Sequence, residues 1–207
     1  MNRLALVLLL SLASAPAAYA QQLAVGLLPF DVVSVSGAGR EAGENLAKLV
    51  RVEMIRGHKV RPVLLELPSE AKLPIDAAAA AQIGKTAGAG LVVSGTVIEA
   101  TESHSSNSAN TGGLLSGVGV GGSVSKSTAR VSLNVEVVDA ETGESVRNFE
   151  VEAKNTDLGV GADFSTALGG ADIGGSGWDK SPMAKALREA ARKINEEVAK
   201  AAASRKR

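Results

Sequence analysis

There is no cysteine anywhere in the 207 residues, which excludes disulfides, thiolate metal sites, thiol nucleophiles and the lipid-modified N-terminal cysteine of a bacterial lipoprotein. Aromatics make up 2% and comprise Phe30, Phe149, Phe164, Trp178 and Tyr19, too few for a base-stacking surface or a heavy aromatic girdle. Charge of one sign is missing as well: lysine plus arginine number 22 and the acids number 22, so there is no electrostatic footprint for nucleic acid. No run reaches the roughly 18 to 20 apolar residues a membrane helix needs. The two histidines, His58 and His104, have no carboxylate or second histidine at ligand spacing. No G-x-S-x-G elbow surrounds a serine. Metal, cofactor and hydrolytic chemistry are all unsupported, and the expectation is a protein that is not an enzyme.

What is present begins with an export signal. Arg3 precedes an apolar run from Leu4 to Leu12, and Ala18-Tyr19-Ala20 supplies a small-x-small cleavage site, the pattern of a secretory signal peptide over residues 1–20. The mature chain is then expected to start near Gln21, in the periplasm, without a helical anchor or a lipid. About 187 residues remain, enough for a single domain over 21–207 with room for insertions.

The core alternates element types. Gln22 to Phe30 reads as a buried strand, and Arg40 to Arg56 carries Leu46, Leu49, Val50 and Met54 at helical spacing. Val60 to Leu67 is a second strand, followed by an Ala-rich helix from Ile75 to Ala87 with Asp76 at its positive end and Gly88 as its stop. Leu91 to Ile98 is near-continuously apolar, as in a central strand covered on both faces. From Ala129 the period becomes two: Val131, Leu133, Val135 and Val137 alternate with polar residues, and Phe149, Val151 and Ala153 resume after Thr142-Gly143, a hairpin signal. Ser181-Pro182 opens a last helix with Met183, Leu187, Ala190, Ile194 and Val198 in one stripe. The fold expected is α/β: a βαβαβ core, then a β-hairpin and a C-terminal helix.

Two Gly-rich tracts, 101–128 and 155–180, bracket that hairpin, and each carries apolar alternation where linkers would be uniformly polar. In the first, Val118, Val120 and Val124 alternate with Gly117, Gly119, Ser123 and Ser125. In the second, Leu158, Val160, Ala162 and Phe164 alternate with Gly159, Gly161 and Asp163. An extended segment of this kind can line a barrel wall, with the apolar set toward lipid and the small polar set toward a lumen.

The order of these elements, with Leu28-Pro29-Phe30 at the first strand's end, GAGLVVSGTVIEA at 88–100, VEVVDAETGESV at 135–146 and SPMAKALREAARKI at 181–194, resembles the CsgG family of curli-secretion-channel-like proteins of the bacterial outer membrane. The resemblance implies a periplasmic α/β domain that forms a homo-oligomeric ring, with two hairpins per subunit contributed to a shared barrel at the outer membrane. It further implies an exported polypeptide or envelope-assembly proteins as partners. Hairpins from one chain leave open edges in lipid, and only a closed symmetric assembly pairs them all. Family channels carry a lipidated cysteine and an aromatic loop after the first strand; this chain has no cysteine, and Asp31 to Gly43 holds no aromatic.

Two other readings stand beside it. As periplasmic loops, the tracts would leave a soluble adaptor or activator of envelope machinery with the same core. Alternatively, Gly37-Ala38-Gly39-Arg40-Glu41-Ala42 matches GxGxxG/A before a helix, with Glu66 as a ribose ligand, the outline of a dinucleotide enzyme. The similar Gly117-x-Gly119-x-x-Gly122 precedes strand-like alternation rather than a helix, the wrong context for such a site.

Overall fold

Pro29 decides how the sheet begins. It has no N–H to give to a ladder, so the strand expected over Gln22–Phe30 is cut into two pieces. In the computed structural model, which describes residues 22–32, 40–67, 71–107, 124–157 and 181–205, these are β1 (Ala24–Leu27) and β2 (Asp31–Val32). Between them Leu28 N–H donates to Val93 O at 3.0 Å and Phe30 N–H to Gly43 O at 3.2 Å. The leader expected over residues 1–20 lies outside the described residues.

The chain continues through α1 (Arg40–Gly57), β3 (Arg61–Leu64), α2 (Ala77–Thr86), β4 (Leu91–Asn107), β5 (Val124–Asp139), β6 (Ser145–Asp157) and α3 (Pro182–Arg205). The sheet order is β3-β1-β4-β5-β6, with β2 also on β4. β1 runs parallel to β3 and β4, whereas β5 is antiparallel to its two neighbours β4 and β6. The α/β expectation holds, and the sheet is open rather than closed into a barrel.

The helical stripes do what their spacing requires. Leu46, Leu49, Val50 and Met54 of α1 and Met183, Leu187, Ala190, Ile194 and Val198 of α3 are buried together with Val131, Leu133, Val135 and Val137 of β5 in one core. Burying each large apolar side chain contributes roughly 1.5–3 kcal/mol. On the other side α2 covers only the parallel part of the sheet, joining Ala80 to Leu28, Leu65, Val92 and Ala140. An Ala-rich helix suits this place because it packs close. A Cβ on Gly84 would run into the Val92 side chain.

The caps follow the sequence with one shift. Ser181 Oγ accepts from Ala184 N at 3.0 Å and starts α3. Asp76 accepts from Ala79 N at 2.7 Å, so it caps α2 from outside and the helix begins at Ala77 instead of Ile75. Gly88 ends the segment at φ +69°, and Gly143 turns the β5–β6 hairpin at φ +75°.

The larger difference concerns length. β4 does not stop at Ile98 but runs to Asn107, and β5 starts at Val124, five residues before the expected Ala129. After Thr101 nothing up to Asn107 is strongly β-forming; the ladder from Thr101↔Arg130 to Asn107↔Val124 makes it a strand.

Candidate functional site

β4 and β6 are each antiparallel to β5, so they point the same way. The chain therefore leaves the sheet at one end twice, after Asn107 and after Asp157. It returns to that end both times. Val124 pairs with Asn107 across the first exit, and Lys185, in the first turn of α3, forms an ion pair with Asp157 across the second. The two Gly-rich tracts share a root at one end of β4, β5 and β6.

The tracts themselves are shorter than their composition indicated, because residues 101–107, 124–128 and 155–157 belong to strands. Of the residues expected on a lipid-facing side, Val118, Val120, Leu158, Val160, Ala162 and Phe164 lie outside the described residues; Val124 opens β5 opposite Asn107. Of those expected on a lumen side, Gly117, Gly119, Ser123, Gly159, Gly161 and Asp163 also lie outside them, while Ser125 pairs with Ser106.

At the root the core gives way to polar rows. Directly paired residues share a face of the sheet. On the helix-covered face the row Ala100, Val131, Ala153 is followed by Glu102, Ala129, Asn155 and then by Ser127 and Asp157. Both carboxylate oxygens of Glu102 and Oδ1 of Asn155 are buried with no hydrogen-bond donor among the described residues. Leaving such an acceptor unpaired costs roughly 1–3 kcal/mol. Sequence reasoning did not single out these two residues; the register alone brings them to either side of Ala129.

Beside this root lies a cleft of about 980 Å³ bordered by Lys185, Arg188, Arg192 and Lys193 and by Glu53, Glu99, Glu150, Glu152 and Glu189. Cations and carboxylates alternate there, so it has no field of one sign for a charged ligand. The titration shifts on α3 have the same structural origin. Arg192 hydrogen-bonds Glu189 and holds its carboxyl below the usual value, and Glu189 raises the Arg192 guanidinium in turn. Lys200 and then Arg147 do the same to Glu197. These are ion pairs on a helix flank.

Among the described residues no group of three or more His, Asp or Glu side chains could hold a metal, and no helix is long and apolar enough to cross a membrane. His58 is exposed at φ +52° just past α1. The dinucleotide outline meets a steric obstacle at Phe30, which is fully buried. Its carbonyl lies so close to the first turn of α1 that a Cβ on Gly43 would strike it, leaving no room there for a pyrophosphate against the helix. Gly37 and Gly39 lie outside the described residues, and Glu66 is exposed beyond β3.

Residues 61–207 match the model of the family described as the curli production assembly/transport component CsgG. No curated protein matches in sequence. Among solved structures, the hypothetical protein CT253 from Chlamydia trachomatis is 13% identical with a TM-score of 0.56, over 88% of this chain and 99% of that one. PelC from Paraburkholderia phytofirmans, crystallised as a dodecamer, is 14% identical with a TM-score of 0.46 over 84% of each chain. A putative lipoprotein from Caulobacter crescentus is 14% identical with a TM-score of 0.40, over 86% of this chain and 91% of that one. At these identities the first likeness establishes a shared fold.

Proposed function

The chain belongs to the CsgG family of curli production assembly/transport components, and from that premise we propose that it is a non-enzymatic subunit of protein secretion or assembly at the outer membrane. Exported by its leader, it works in the periplasm as a member of a ring. The tracts 108–123 and 158–180 of each copy extend toward the membrane and pair with those of its neighbours. The observation that carries this reading is the common root: both tracts leave one end of the sheet, from β4 and β6 on either side of β5, and close on themselves there. Tracts rooted at opposite ends could not enter one bilayer together.

One observation favours a second reading. The described arm of the first tract, Thr101, Glu102, Ser103 and Ser105, is polar, so it has little to offer lipid. A soluble adaptor with the same core would use the arm to hold an envelope protein. Flotation of the purified full chain with vesicles of outer-membrane phospholipid separates the two. The ring reading expects co-flotation, annular particles in micrographs and ion conductance. Val120→Arg or Val160→Arg should weaken insertion by about 2–4 kcal/mol if the site nears the bilayer midplane, whereas Gly159→Arg should alter conductance with insertion kept. A wild-type chain that stays monomeric and never floats belongs to the adaptor reading.

A further inference from the structure

An open sheet ends in two edge strands, and here these are β3 and β6. Each carries a row of backbone N–H and C=O groups turned away from its one neighbour, a template for a further strand unless something blunts it. β3 is blunted. It has only four residues, Arg61–Leu64, and its inward groups are set by Arg61 N–H donating to Leu23 O at 3.0 Å and by Leu65 N–H, just past the strand, donating to Leu27 O at 2.9 Å. Pro62 therefore stands on the outward side, where it has no N–H to give.

β6 is open. It runs 13 residues, Ser145–Asp157, without a proline, and among the described residues no strand pairs with it other than β5. Its outward groups follow from counting across the sheet. Leu28 N–H donates to Val93 O, so at the start of β4 the odd residues face β1 and the even ones face β5. The antiparallel pairs Val92↔Val138, Ser94↔Glu136 and Thr96↔Asn134 then use the even residues of β5, which leaves Leu133 and Val135 to bond Val151 and Phe149. Asn148, Glu150, Glu152 and Lys154 accordingly present their backbone groups to the outside. Glu152 O agrees with this count, since it accepts from Lys193 Nζ of α3 at 2.6 Å. Beside this edge lies a groove of about 410 Å³, lined on the strand side by Phe149 and Val151 and on the helix side by Lys193, Glu196 and Glu197.

We infer that β6 takes an extended segment of a different polypeptide as a further strand of the sheet, the partner's backbone bonding to that of Asn148, Glu150, Glu152 and Lys154. Every second side chain of the segment then faces Phe149, Val151 and the groove, so small or apolar residues at alternate positions suit it, and the rest is held through its backbone. The groove does not select a charge, because Glu196 is bound by Arg192 and Glu197 by Arg147 and Lys200. Lys193 blunts the edge until the strand enters and then releases Glu152 O. A second copy is not the occupant. A contact of β6 with β6 joins one surface to itself and stops at two copies, so it builds no ring, and the sheet's other edge, β3, turns Pro62 outward. The choice of occupant rests on the ring reading above, which it deepens by naming the surface that holds the exported or envelope polypeptide.

Hydrogen exchange resolved to single residues tests this on the full chain, with a short peptide of alternating valine and threonine as the probe. The peptide should slow exchange at the amides of Asn148, Glu150, Glu152 and Lys154 by about tenfold or more. It should leave Phe149 and Val151, already bonded to β5, unchanged. Methylating the peptide nitrogens that face β6 should abolish the protection, whereas methylating the alternate set should not. Glu150→Pro removes one outward N–H and no bond to β5, so it should raise the peptide's dissociation constant about tenfold with a melt close to wild type. Amides that stay unprotected with peptide present, or that respond alike to both methylated sets, overturn the strand. Amides protected before peptide is added and released on dilution give the edge to a second copy, and amides protected at every dilution give it to the chain's own tracts; either result refutes the occupant. Sedimentation of the free chain reads the ring separately. A monomer that takes the peptide loses the ring and keeps the strand site, and a ring that shows no protection by peptide does the reverse.

Discussion

The two halves of the sheet differ in what covers them. In the parallel half β1, β3 and the start of β4 lie between α1 on one face and α2 on the other, and on the back Val92 of β4 is shut in with Leu28 and Leu65, the residues just past β1 and β3. In the antiparallel half β4, β5 and β6 are covered by α3 on the front, and among the described residues no helix covers them behind. The first half is a core that needs nothing else. The second half is a platform: it extends the strands that bear the tracts and leaves one face free to meet something. Fold and function are thus separated along the sheet, and substitutions on its back should have unlike consequences at its two ends.

The largest contrast is expected between Leu28→Ala and Ile98→Ala. The former opens a cavity in the parallel half and should cost about 2–5 kcal/mol in urea unfolding, while the latter should stay within about 0.5 kcal/mol. Equal losses at both sites would mean that the bare face is covered. Next comes Gly84→Ala, which drives a methyl group into Val92 and should cost about 1–3 kcal/mol; a thermal melt unchanged from wild type would show that α2 can slide outward.

At the tract root, Glu102→Gln should raise stability by about 1 kcal/mol, because both side-chain oxygens of Glu102 are buried without a donor among the described residues and the amide replaces one of these acceptors by a donor. A lower midpoint would instead reveal a donor reaching Glu102 from the tracts. The smallest effect is expected at the α3 flank. The folded carboxyls of Glu189 and Glu197 titrate below 4.5 because Arg192 and Lys200 hydrogen-bond them. Their contribution is therefore full above that value and is lost as the pH falls through the lower folded values. Both are partly exposed, so each is worth about 0.2–1 kcal/mol. Acid melts of Glu197→Gln should show a shallower decline below pH 4.5 than wild type, and identical slopes would assign the acid sensitivity elsewhere.

Much of this was legible before any fold was known. The helical stripes of α1 and α3, the alternation of β5 and the turn at Gly143 are local patterns with one economical reading, and each formed where its period placed it. The core of the family resemblance held for the same reason, since its motifs are those elements in their order. Other features were illegible because they depend on partners distant in sequence. Thr101–Asn107 is a strand only because β5 lies beside it. Glu102 and Asn155 are isolated polar letters until two ladders put them in one row. Ile98 reads as the last core residue of an apolar run, yet a bulge turns it outward.

The amino-acid order by itself determined the elements, their sequence and the two Gly-rich insertions, because periodicity and turn chemistry act over a few residues. Tertiary structure decided that both insertions spring from one end and that the sheet has one bare half. Strand direction and sheet coverage are relations between segments far apart in the chain, and no local pattern encodes them.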